Sequence, residues 1–177
     1  MVDQFNLLNL VESFQEAVNQ KDVNKILTMF IDGAEFELVG LSKYSGKEQI
    51  RNVFEYDIGV NTELEFINCK IHGNSVSGQL LERNDRLDAI GYGELKYSSC
   101  TFTFRDNLIQ SFTAEIPAEF IQFNNEVYQK FLPWLTQNYP DEHSKMFTPE
   151  GRFIYNRENG ARAVRLLREW QKEQKVS

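Results

Sequence analysis

The chain has 177 residues, 41% of them hydrophobic and 13% aromatic, enough to fill one domain, and 14 are phenylalanines that can pack a core or line an apolar pocket. A net charge of −7 argues against nucleic acid or an anionic membrane as partner, and no apolar run nears the roughly 20 residues of a membrane span. The charge is uneven: residues 150–177 hold seven Lys/Arg against four Asp/Glu, a local +3, which leaves −10 on residues 1–149. The N-terminus lacks the basic-then-apolar pattern of an export signal, so a cytoplasmic protein is expected. Cys69 and Cys100 then read as reduced, small buried hydrophobes rather than a disulfide framework.

In residues 3–20, Leu7, Leu8, Val11, Phe14 and Val18 recur at helical spacing, with Asp3, Gln4, Glu12, Gln15 and Glu16 largely opposite. Lys21-Asp22 ends that helix and opens a short second one carrying Val23, Ile26, Leu27 and Phe30, stopped by Gly33. Ala34–Val39 predicts a strand. Ser45-Gly46-Lys47-Glu48 has capping-box form before a third helix to about Tyr56, with Ile50, Val53 and Phe54 on one face. Thr62–Ile71 alternates but changes face near Ile67, which predicts a bulge or a central strand. His72-Gly73-Asn74 is a turn. Ser75–Asn84, Ala89–Phe104 and Leu108–Ile116 predict three further strands, the second bent at Gly91 and Gly93.

Pro117 opens a long helix whose stripe runs through Phe120, Phe123, Val127, Phe131 and Trp134, with a kink or early end expected at Pro133. Asn138–Lys145 reads as a polar connection. Thr148-Pro149-Glu150 reads as the start of a last helix weakened at Gly160. Its Arg162, Arg165, Arg168 and Lys172 share a face, suited to solvent, to docking on the acidic body of the protein or its dimer mate, or to binding an anion. The order is α+β: an antiparallel meander with one face covered by the N-terminal helices.

At Ala17-Val18-Asn19-Gln20-Lys21-Asp22, Met29-Phe30, Ala34–Glu37, Ser45–Ile50 and the hairpin Thr101–Ile109 the chain resembles the nuclear transport factor 2-like superfamily, in its SnoaL-like branch. The resemblance covers roughly residues 5–116. It implies a cone, a curved sheet wrapped around the first helix, over residues 1–116, followed by a helical C-terminal extension over 117–177 that packs on the cone or closes it. It also implies an internal pocket for a small hydrophobic molecule and a homodimer formed through the outer sheet face. That superfamily holds isomerases, cyclases, hydrolases and non-catalytic binders, so the fold names no reaction.

Two catalytic patterns of the superfamily can be laid on the residues. In the ketosteroid-isomerase pattern Glu37 falls at the base, but Phe14 and Cys100 stand where its two strong oxyanion donors belong, so that chemistry is not expected. Glu82-Arg83-Asn84-Asp85 resembles the Arg-x-Asp of limonene-epoxide hydrolase, where an Arg held between carboxylates orients one as base and one as acid. The second carboxylate of that pattern falls on Ala114, Glu115 beside it faces the other way, and Phe36 and Leu38 replace a Tyr and an Asn. Arg83 and Asp85 are thus a pocket dyad or a rim ion pair worth ~0–1 kcal/mol. Glu37 is an enclosed base of raised pKa or a solvated strand residue.

The candidate acid–base residues are therefore Glu37, Arg83 and Asp85. By family analogy the candidate pocket lining is Phe14, Phe36, Phe54, Cys100, Phe102, Phe112 and Ala114. His72 and His143 have no spaced partner for a zinc site, and no cofactor motif is present. The rival reading is a non-catalytic interaction module whose cone is plugged by Phe14, Phe102 and Phe112.

Overall fold

The structure, a computed structural model, describes residues 4–175; Asp3, read above as part of the first helix, lies outside them. The chain runs α1 (Gln4–Asn19), α2 (Val23–Thr28), β1 (Phe30–Val39), β2 (Ser42–Ser45), α3 (Gly46–Gly59), β3 (Glu63–His72), β4 (Ser75–Arg83), α4 (Asp85–Ala89), β5 (Glu94–Lys96), β6 (Ser99–Arg105), β7 (Leu108–Glu115), α5 (Ala118–Asn138), α6 (Pro140–Met146) and α7 (Arg157–Gln174). The sheet order is β2-β1-β7-β6-β4-β3, with β5 added beside β4. The class is α+β, with an unclosed sheet covered by helices. One pair departs from the expected meander: β1 and β7 are parallel, which the long excursion between them permits.

The apolar stripe of α1 buries Leu7, Val11, Phe14 and Val18 on the sheet. Its polar side is also used. Asn19 bonds both backbone groups of Leu64, at 2.8 and 3.0 Å, and Gln15 Oε1 accepts the Phe66 N–H at 2.7 Å. These side chains satisfy the open edge of β3, which has no strand beyond it. The face switch in β3 is a bulge, with pairing slipping between Ile67 and Lys70 and Asn68 at φ 56°. The third helix starts where expected but by another contact: Ser45 makes no side-chain cap, and Gln49 Oε1, rather than Glu48, accepts the Ser45 N–H at 2.9 Å.

Three expectations are corrected. Ala89–Phe104 is not one strand. Asn84 caps α4 by accepting the Leu87 N–H at 2.7 Å, Asp85 and Asp88 suit its first turn, and Leu87 and Ile90 bury its inner side. The chain then turns back, and β5 lies against β4 with Glu94 opposite Arg83. Secondly, α5 does not end early at Pro133 but runs on to Asn138, and the supposed polar connection contains α6.

Thirdly, Thr148 does not start the last helix. Gly151, at φ 78°, breaks the turn two residues after Pro149, Phe147 bridges to Phe153, and α7 begins only at Arg157 under an Asn156 cap. Gly160 does not interrupt α7 but lets it meet α3: a Cβ there would stand 2.7 Å from the Tyr56 carbonyl oxygen and 3.1 Å from Gly59 Cα. The basic face of α7 docks on the body. Arg162 and Arg165 reach Glu142 of α6 at 2.8 and 2.7 Å, and Arg168 reaches Asp85 at 3.3 Å. Among the described residues no helix is long and apolar enough to cross a membrane.

Candidate functional site

The concave side of the sheet is filled by phenylalanines in mutual ring contact, some edge-on and some tilted. Phe14 lies 5.4 Å from Phe102 and 5.8 Å from Phe54, and Phe112 lies 4.7 Å from Phe102 and 4.9 Å from Phe36 (ring centroids). Beside this cluster a cavity of about 270 Å³ remains. Phe14, Phe54 and Phe112 bound it from the cluster, Phe36 and Leu38 from β1, and Leu80 from β4. The chain after β7 supplies further wall: Phe120, Ile121 and Tyr128 from α5, and Phe147, Phe153 and Tyr155 from the loop before α7.

One side of the cavity is polar. Inward positions of β4 alternate as Val76, Leu80, Glu82 and, just past its end, Asn84. Glu82 accepts from Tyr97 Oη at 2.5 Å and from Asn84 Nδ2 at 2.6 Å, so both its oxygens are engaged. Asp57, in the last turn of α3, accepts from Thr62 Oγ1 at 3.2 Å. Arg86, in α4, donates from Nε to Tyr128 Oη at 3.3 Å and from Nη2 to Asn124 Oδ1, and its guanidinium carbon stands 5.5 Å from the Tyr128 ring centre.

Burial sets the protonation of this group. Asp57 is pushed up to about 8, first by burial and then by the Glu82 charge, against the pull of Thr62 and Lys21. Glu82 is also raised by burial, while the hydrogen bonds from Tyr97 and Asn84 and the Arg86 charge hold it back. Burial and Glu82 raise the Tyr97 phenol, which keeps its proton as a donor. Burial opposes the Arg86 charge, but Tyr128, Tyr56 and Glu82 outweigh it and hold its pKa above the ordinary value.

The three acid–base candidates lie elsewhere. Glu37 is on the outer face of β1, opposite Lys43 and Thr113, because Phe36 and Leu38 take the inward positions. Arg83 points away from the cavity and pairs with Glu94. Asp85 pairs with Arg168 of α7. Of the lining candidates, Phe14, Phe36, Phe54 and Phe112 border the cavity. Cys100, Phe102 and Ala114 are buried in the core without bordering it. Burial pushes the Cys100 thiol up to about 12, so it stays protonated.

The residues that face the cavity had visible signals. Glu82 continues the parity of Val76 and Leu80, and Asp57 continues the helical stripe of Ile50, Val53 and Phe54. Arg86 had none, because its inward direction depends on the turn at Asn84. Among the described residues no group of His, Cys, Asp and Glu is placed to hold a metal ion.

No family model matches the sequence, and no curated protein matches it either. Solved structures do match in shape. An epoxide hydrolase/cyclase-like enzyme, SalBIII, described in pyran ring formation in the polyether salinomycin, superposes with a TM-score of 0.60 at 22% identity, over 67% of this chain and 96% of its own. An LEH-like epoxide hydrolase of M. tuberculosis gives 0.57 at 17%, over 73% and 97%. A nuclear transport factor 2-like protein of unknown function from Cytophaga hutchinsonii gives 0.55 at 15%, over 69% and 99%. Each neighbour is covered almost whole, and about a third of this chain lies outside the match with SalBIII. These likenesses show the fold: the chain has the curved-sheet α+β fold shared by these epoxide-hydrolase-like and nuclear transport factor 2-like structures.

Proposed function

We propose that the protein binds a small, largely apolar molecule in the cavity and performs acid–base chemistry on an oxygen-bearing end of it, with Asp57 and Glu82 handling the protons. The observation that carries this is the pair of carboxyl groups lining one apolar cavity, both raised by burial and Asp57 raised further by the Glu82 charge. Glu82, with two donors on its oxygens, ionises first and serves as base. Asp57, up to about 8, keeps its proton at neutral pH and serves as acid. That division suits the opening of a strained C–O bond. Glu82 takes the proton of an attacking hydroxyl as its oxygen bonds to carbon, and Asp57 protonates the departing oxygen. With water as nucleophile the product is a diol; with a hydroxyl of the same molecule it is a ring. The descriptions of SalBIII and of the M. tuberculosis epoxide hydrolase support this class. The cavity's about 270 Å³ lies just under the usual ~300–1,000 Å³ of ligand pockets, which favours a small molecule.

The test is turnover of a panel of small alkyl and cyclic epoxides and epoxy-alcohols, followed by mass spectrometry. Glu82→Gln and Asp57→Asn are each expected to lower the rate by ~10²–10⁴ while the fold is kept. Equal turnover by both variants removes the pair from the mechanism. A panel that neither binds nor reacts favours the second reading, a non-catalytic module, which the close Phe14–Phe102–Phe112 cluster supports. The proposal places the protein in the cytoplasm as a homodimer through the outer sheet face, where Ser77 and Thr101 hydroxyls lie 3.0 Å apart. A monomer mass in light scattering removes the dimer.

A further inference from the structure

Arg86 is the one site residue that the acid–base scheme leaves without a task. A guanidinium is always charged, and burying it without a counter-anion is costly. Yet among the described residues Arg86 has no carboxylate within ion-pair distance; its two hydrogen-bond acceptors, Asn124 Oδ1 and Tyr128 Oη, are neutral. Glu82 acts on it through space but makes no direct ion pair with it, its oxygens being bonded to Tyr97 and Asn84 at 2.5 and 2.6 Å. The remaining N–H groups of Arg86, those on Nη1 included, have no partner among the described residues, and Nη1 is not a sealed orphan: the only buried, unbonded side-chain atom of the described residues is Glu169 Oε2. Arg86 lines the cavity, so these donors open into it. Asn124 and Tyr128 fix the fork from α5, which leaves its free edge preset for a planar, two-oxygen acceptor.

We infer that the ligand is a small hydrophobic carboxylate, its anion received by the open edge of Arg86 and its apolar body lying among Phe36, Phe54 and Phe112. The inference rests on the cavity being a ligand site, and it names the ligand class that the acid–base reading left open. A carboxylate at Arg86 would set the rest of the molecule in register with Asp57 and Glu82, which border the same space. A cavity of about 270 Å³ leaves room for a small chain or ring beyond that anchor.

Calorimetric titration with octanoate, 1-octanol and methyl octanoate at neutral pH tests it on the whole chain. Wild type is expected to bind octanoate ~10-fold or more tightly than either uncharged congener, the size of one charge-assisted bidentate contact. Arg86→Met should erase that ratio and still bind octanol. If Arg86→Met does not fold, Arg86→Gln, which keeps an amide within reach of Asn124 and Tyr128, reads the same ratio. Equal binding of octanoate and octanol by wild type, or a preference that survives loss of the charge, overturns the carboxylate and leaves the apolar-cavity reading standing. Binding of none of the three overturns both.

Discussion

Asp57 ties the chemistry of the site to the stability of the molecule. Its carboxyl titrates near 3.8 in the unfolded chain and is pushed up to about 8 by burial in the folded one, so between those values the folded state holds a proton that the unfolded state has released. Stability therefore falls as pH rises from about 4 to about 8 and levels off above. Against Asp57→Asn, wild type is expected to melt alike near pH 4 and at least a few degrees lower at pH 8.5, which thermal melts at both values measure. A gap that does not widen with pH shows that the carboxyl is not buried as described. By contrast the Asp85 carboxylate pairs, among the described residues, with Arg168 at 3.3 Å, and both side chains are partly exposed. Asp85→Asn should cost no more than ~1 kcal/mol in urea denaturation and leave turnover unchanged. The charged run Glu82–Asp88 was visible as a place of interest, yet which of its members face inward is a matter of parity. Arg83 is one residue off the inward row of β4, and beyond Asn84 the period changes from two to that of a helix, so neither Arg83 nor Asp85 could be assigned from charge alone.

The elements were more legible than their joints. Helices with a one-sided apolar stripe and strands with alternation follow from side-chain burial, a local property of the sequence. The joints depend on contacts far along the chain. Gly160 looked like a weak point of α7, but its lack of a side chain is what lets α7 cross α3 at Tyr56 and Gly59. Gly160→Ala sets two effects against each other. Alanine favours the helix by up to ~1 kcal/mol, and a Cβ 2.7 Å from a backbone oxygen forces the helices apart. Backbone cannot yield as a flexible side chain does, so a net loss of ~1–3 kcal/mol in urea denaturation is expected. A stabilised variant would show a looser crossing.

At the scale of the molecule, the cavity joins the two parts of the chain, since β1, β4 and α3 supply one side and α5 with the loop before α7 another. Both tryptophans, Trp134 and Trp170, lie after β7, so tryptophan fluorescence follows that part alone, while circular dichroism follows the whole. Because α7 packs on α3 and α4, the two signals should change at the same urea concentration. Separate midpoints would show that the helices after Pro117 melt on their own.

The wall contributed by Phe147, Phe153 and Tyr155 also has a consequence for synthesis. These residues leave the ribosome after every strand has been made, and at ~5–20 residues per second the stretch from β7 to Tyr155 takes on the order of seconds. Throughout that interval Phe36, Leu38 and the neighbouring side chains have no cover from the late loop. A growing chain would thus present a sticky opening at the very spot that later receives the ligand, and chaperone demand should be set by the pace of translation through residues 117–155.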